Sequence, residues 1–289
     1  MSNRNRNEEE KTVGELSPAA LSPAALRTIS NTDAPVPPPE SGYENFDPPD
    51  GGLVAWSQVV AVLLINSICW GYPSAFGVYQ LYYVDALNLP AAQISWIGSV
   101  QLLLTFGICT IFGRLADAGY TRPCVAVGCF LAVFGTFMVS LATEYWQIFL
   151  AQGVCVGLGL GMAFMPAIAT VASYFKKNRA FALSIAATGT SVGSLVFPST
   201  VQYLIPQVGF PWAVRCAGFV ALTMCVIANL LLKPYLPPRK TGPLAEWGAF
   251  RELSYVFFSL GAFLNHYLLF FGFFYVRSPH TVVLKGTAR

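Results

Sequence analysis

Seven stretches of about 20 mostly apolar residues, the length a helix needs to cross the hydrocarbon of a bilayer, constrain most of what this chain can become. They run roughly from Leu53 to Tyr79, Ile94 to Phe112, Pro123 to Leu141, Trp146 to Ala172, Ala180 to Leu204, Trp212 to Leu232 and Tyr255 to Val276. Lipid offers no water to backbone N–H and C=O groups, so each stretch has to satisfy its own hydrogen bonds as a helix. Only 11% of the residues are charged, against about a quarter in soluble domains. The fold expected is an all-α membrane protein with short turns. Pro90, Pro123, Pro206, Pro211 and Pro234 lie near the turns, where proline starts or stops helices.

Residues 1–52 differ in character. They hold nine of the fourteen acids, the tandem Leu16-Ser17-Pro18-Ala19-Ala20 and Leu21-Ser22-Pro23-Ala24-Ala25, and Pro37-Pro38-Pro39. Too little apolar surface is present to offset ordering entropy, so a disordered tail is expected. It lacks the basic start and short apolar core of a secretory signal, which leaves insertion to the first apolar stretch. The expected organisation is tail 1–52, six-helix bundle 53–232, loop 233–254, seventh helix 255–276 and a polar end at 277–289.

The short loops set an orientation. Arg114 and Arg122 follow the second stretch, Lys176, Lys177 and Arg179 the fourth, and Lys233, Arg239, Lys240 and Arg251 the sixth. The turns after stretches one, three and five carry only Asp85 and Glu144. The positive-inside rule then puts the amino terminus and the basic loops in the cytoplasm of a multi-pass, plasma-membrane protein. Arg277, Lys285 and Arg289 break the pattern, and a non-native continuation at 277–289 is the reading that removes the conflict.

Chemistry is sparse. The seven cysteines lie in or beside apolar stretches without a CxxC pair, so they read as packing residues, and neither metal nor cofactor is expected. No GxSxG, HExxH or P-loop is present, which argues against an enzyme. No basic patch exists outside the loops, which argues against nucleic acid. Partners reduce to the bilayer, a small-molecule substrate and, optionally, protons. Polar residues at mid-depth are costly and usually face a pathway or another helix. The candidates are Asn66, Trp70 and Ser74 on one face of the first stretch, Gln101, the face Ser184, Thr188 and Ser191, Asn229, Arg215, and Asn265 with His266. Arg215 either meets an anionic substrate or snorkels to headgroups; His266 either titrates or bonds a helix neighbour.

Three motifs carry a family resemblance. Gly113, Arg114, Asp117, Gly119 and Arg122 form a turn similar to the G-x-L-a-D-r-x-G-r pattern of the major facilitator superfamily, with Arg122 displaced and Ala118 where an arginine is common. Asp50, Gly51, Gly52 and Trp56 resemble the entry signature of the monocarboxylate porter family. Tyr174, Phe175, Lys176, Lys177 and Arg179, leading to Gly189 and Gly193, are similar to its second signature. The tail resembles that of fungal members. The resemblance spans about residues 50–276 and implies the six-helix amino-terminal bundle plus a seventh helix, a chain truncated after it. It also implies a secondary transporter of small organic anions or metabolites working by alternating access, as symport or as efflux of a pathway product. A truncated protein without transport is the third reading. Departures matter: Ser74, not lysine, follows Pro73, and Phe149 stands where many proton-coupled members keep arginine. From the sequence alone, Asp50 is expected to cap the first helix, and Trp56 to anchor at the interface.

The orientation has a direct test. A single cysteine at Asp85, in a background whose seven native cysteines are replaced, should react with an impermeant thiol reagent on intact cells. One at Lys177 should react only after permeabilisation.

Overall fold

The computed structural model describes residues 49–235 and 252–275, with side chains to residue 268. The expected tail over 1–48, most of the 233–254 loop and the end beyond 275 lie outside these residues. Helices α1 (Leu53–Leu87), α2 (Ala91–Leu115), α3 (Thr121–Val139), α4 (Tyr145–Tyr174), α5 (Arg179–Val208), α6 (Phe210–Leu231) and α7 (Leu253–Tyr275) follow one another, and no strand occurs among the described residues. The first six are long and apolar enough to cross a membrane. One continuous helical run, Ala91–Val139, is really α2 and α3. A turn of π-helix at Ala116–Tyr120 joins them, broken where Gly119 takes φ 94°. Glycine reaches that left-handed value without the penalty of a Cβ.

The helices outrun the apolar stretches. α1 has 35 residues, about 52 Å at 1.5 Å per residue, and so continues eight residues beyond Tyr79. Pro73, Pro166, Pro198 and Pro206 sit inside helices. Pro206 therefore does not end α5 where the sequence suggested; the helix stops two residues later, at Val208, and Gly209 follows with φ 81°. Neighbouring helices can cover a carbonyl that a membrane proline releases.

The bundle packs through small residues. α1 lies against α5, α2 against α4, and α3 against both α4 and α6. A Cβ built on Gly189 or Gly193 would overlap the backbone carbonyl of Leu63 or Ser67. The second signature thus ends in two glycines that let α5 touch the backbone of α1. In lipid, where apolar surface gains little by leaving the solvent, such close packing is the main attraction between helices. α6 uses the same device with a buried stripe of Ala213, Ala217, Ala221 and Ala228. α7 meets the others mainly along α1 and keeps Phe257, Phe258, Phe263 and Leu268 exposed.

Gly193→Ala should therefore lower the stability of the purified protein by about 1–3 kcal/mol, read as a lower thermal midpoint in detergent. Gly107→Ala is the control. Nothing lies within 4 Å of a Cβ there, and the midpoint should hold or rise slightly.

Candidate functional site

The two signatures dock on each other, with Asp50 lying 126 residues before Lys176 in the chain. Gly52 at φ 90° bends the chain before α1. The Asp50 carboxylate then faces the α4–α5 turn and accepts the amides of Lys176 and of Lys177, the latter at 2.9 Å. The Asp50 amide in turn donates to the Tyr174 carbonyl at 3.2 Å. These amide hydrogen bonds hold the Asp50 carboxyl below the usual carboxylate range. The expected capping of α1 by Asp50 is corrected: Gly52 is the N-cap and carries no side-chain bond. Trp56, expected at the membrane interface, packs edge-on against Phe175 and Phe181, at 5.6 and 6.2 Å between ring centres. Arg179 is the first residue of α5, and Gly51 is simply open.

Beside this latch, the end of α6 is closed by three other helices. Gln58 of α1 is fully buried; its Nε2 donates to the Leu231 carbonyl at 2.9 Å and its Oε1 accepts the Lys233 amide at 2.8 Å. Arg122 of α3 donates from Nε to the Leu232 carbonyl at 2.9 Å, and the Tyr174 hydroxyl of α4 donates to the Lys233 carbonyl at 2.7 Å. Helix carbonyls at a C-terminus have no internal donor, and the arginine also suits the negative end of the dipole. Arg122, assigned to a gating turn, is thus engaged by α6. Gly113 and Arg114 lie in the last turn of α2, and Asp117 is exposed in the π turn.

The mid-depth candidates separate. α1 keeps a half-exposed stripe that includes Leu63, Trp70, Ser74 and Gly77. Trp70 meets Phe106 of α2 at 5.8 Å and Phe164 of α4 at 6.4 Å, and the Ser74 and Ser194 hydroxyls are 2.8 Å apart. Asn66 is not on this face; it is buried and its Nδ2 donates to the Ala186 carbonyl of α5 at 3.0 Å. Gln101 is 1% exposed, with neither amide atom hydrogen-bonded to another described group. Thr188 and Ser191 are exposed on α5, with the Thr188 hydroxyl turned back to the Ile185 carbonyl at 2.7 Å. His266 is exposed on α7 and its Nδ1 lies 2.9 Å from the Ala262 carbonyl. Arg215 is apart from all of these, at the far end of α6, with Nε on the Ser140 hydroxyl at 3.1 Å and its guanidinium 4.9 Å over Trp212.

Sequence reading missed Gln58, Ser194 and the buried pair in which Tyr83 donates to Gln152 at 2.7 Å. A glutamine one turn into an apolar helix was the available signal for Gln58. Ser194, three residues beyond Ser191, sits one helical step from the face that was chosen. Gln152 lies in a π-helical stretch, Phe149–Val156, which no spacing rule announces.

A family model, Major Facilitator Superfamily, matches residues 59–284. The chain belongs to this superfamily. An MFS-type transporter of Gibberella zeae is 39% identical over 240 residues, covering 83% of this chain and 54% of the other. The Aspyridones efflux protein of Emericella nidulans is 36% identical over 256 residues, 88% of this chain and 52% of the other. A crystal structure of the peptide transporter POT with alafosfalin superposes with a TM-score of 0.56 at 20% identity, over 76% of this chain and 48% of that one. That likeness concerns the fold. The chain spans about half the length of the curated relatives it matches. These relatives are named as transporters rather than enzymes, and the monocarboxylate branch is not distinguished by them.

The latch predicts a local effect. Asp50→Asn should speed hydrogen exchange of the Lys176 and Lys177 amides severalfold while exchange in α3 is unchanged. Because the folded carboxyl titrates below the ordinary carboxylate value, its contribution is complete above that ordinary value and is lost only as pH falls through the lowered one. Exchange at those amides should therefore show no latch-dependent change between about pH 5 and 8.

Proposed function

We propose that this chain supplies the amino-terminal six-helix half, with a seventh helix, of a secondary transporter that exports a small organic metabolite by alternating access. The observation that carries this reading is the half-exposed stripe of α1. Trp70 there meets Phe106 and Phe164, and the Ser74 and Ser194 hydroxyls meet beside it. Such a surface offers a flat apolar contact with a few hydroxyls, which suits an uncharged or weakly polar organic product. The relative named as an efflux protein supports the direction of transport. In the major facilitator arrangement the substrate sits between two repeats that rock about it, so this half provides one wall.

Carboxylate uptake is the second reading, supported by Asp50, Gly51, Gly52 and Trp56 and by the Tyr174–Arg179 signature. The geometry favours it less. Both signatures are spent on the Asp50 latch, and among the described cations none lies on the Trp70–Ser74 stripe: Arg122 is bound to α6, and Arg215 lies with Ser140 and Trp212. The polar residues Asn66, Gln101, Thr188, Ser191 and His266 remain candidates for the path or for its gating. Cytoplasmic placement of the basic end, a plasma-membrane location and any use of protons belong to the same proposal.

Inside-out vesicles test it. Vesicles with this chain alone should accumulate none of a panel of labelled carboxylates and aspyridones. Vesicles in which it is co-expressed with the carboxy-terminal half of the Gibberella zeae relative should accumulate at least one, and Trp70→Ala should cut that rate about tenfold or more while Trp70→Phe retains most of it. Two correctly inserted halves that move nothing would overturn the export reading. Uptake of carboxylates alone, in right-side-out vesicles, would favour the alternative, and a proton gradient imposed in either format decides coupling.

A further inference from the structure

α6 has two unlike faces. Ala213, Val214, Ala217, Ala221 and Ala228 are buried against the bundle, while Trp212, Phe219, Leu222, Val226 and Leu230 are exposed at a helical spacing of three and four. Arg215 falls between Trp212 and Phe219 on the second face, half-exposed, and so points away from the α1 stripe. It begins about 8 Å from the helix start at 1.5 Å per residue, near the boundary between headgroups and hydrocarbon. One of its donors is used by Ser140 and its plane rests on Trp212. No carboxylate pairs with it among the described residues, and four N–H donors remain. A fixed cation at that depth calls for an anion, and a guanidinium matches phosphate oxygens two at a time.

Directly inward on the same face lies an apolar groove of about 500 Å³ between α3 and α6. Phe137, Val133 and Cys129 form one wall and Leu222, Val226 and Cys225 the other. Phe137 also meets Phe219 edge-on at 5.2 Å, which links the groove to the turn below Arg215. Half the hydrocarbon thickness is about 15 Å, and ten residues of helix from Arg215 to Cys225 cover about the same distance. The cation and the groove therefore have the separation of a lipid phosphate and the end of its acyl chain.

We propose that the outer face of α3 and α6 is a binding site for one anionic phospholipid, its phosphate on Arg215 and an acyl chain in the groove beneath. Charge complementarity selects the occupant. A free inorganic or organic anion would satisfy Arg215 but leave the groove unused, whereas a neutral lipid would fill the groove and leave the cation without its partner. Trp212 holds the guanidinium at the interface, and Ser140 fixes the direction of its free edge.

Native mass spectrometry of the full chain, extracted from phosphatidylcholine vesicles with or without phosphatidylglycerol, tests this. The wild type should retain phosphatidylglycerol over phosphatidylcholine by at least about fivefold. Arg215→Gln should abolish that preference, Arg215→Lys should keep part of it, and Ser140→Ala, which leaves the cation in place, should keep most of it. Val226→Trp fills the groove without touching Arg215 and should reduce retention of the lipid, and millimolar inorganic phosphate should not displace it. Retention in Arg215→Gln or Val226→Trp equal to wild type would overturn the site, and displacement by inorganic phosphate would make it a free-anion site instead. Should Arg215→Gln fail to insert, the Val226→Trp and phosphate arms decide alone.

Discussion

The last carbonyls of α6 have no donor within their own helix, and the way they are satisfied organises one whole end of the bundle. Gln58, Arg122 and Tyr174 arrive from α1, α3 and α4 to supply those donors, while Asp50 fastens the start of α1 to the turn between α4 and α5. Five helices are thereby tied at the basic end by polar contacts, in a protein whose interior is mostly packed apolar surface. Buried unsatisfied backbone groups cost on the order of 1–3 kcal/mol each, so these contacts specify the relative positions of the helices as well as holding them.

Further along the helices the means of attachment changes. α1 and α5 approach until Gly189 and Gly193 lie on the carbonyls of Leu63 and Ser67. Such contact leaves no room for a side chain between the helices. The stripe bearing Trp70 and Ser74 borders that contact: Ser74 meets Ser194 of α5, while Trp70 reaches Phe106 of α2 and Phe164 of α4. The transporter family and the position of the candidate wall are thus joined through packing. A polar pair at the lip, Ser74 with Ser194, belongs to both the helix contact and the open face.

Some of the candidate site was legible beforehand. Trp70 and Ser74 were found by the rule that polar and amphipathic groups at mid-span face something other than lipid, and both do lie on the half-exposed stripe. Asn66 obeyed the same rule yet points to α5, because the four residues from Asn66 to Trp70 carry the side chain about 40° past a full turn, enough to move it from one interface to the next. Arg215 was read with two outcomes, and its position between Trp212 and Phe219 places it on the outward face of α6.

The sequence by itself determined that this chain is a helical membrane protein, where its helices lie to within a few residues save for the eight by which α1 outruns its apolar stretch, and that its motifs are those of the major facilitator superfamily. Hydrophobic length and turn composition act locally and survive in one dimension. Only the tertiary structure decided what the signatures do. That Asp50 serves the α4–α5 turn rather than α1, that Arg122 caps α6 and that Gln58 is buried under Leu231 all depend on which helix ends meet. Those meetings follow from close backbone contact at particular glycines, and the spacing of residues along a single chain carries no record of its partner across the bundle.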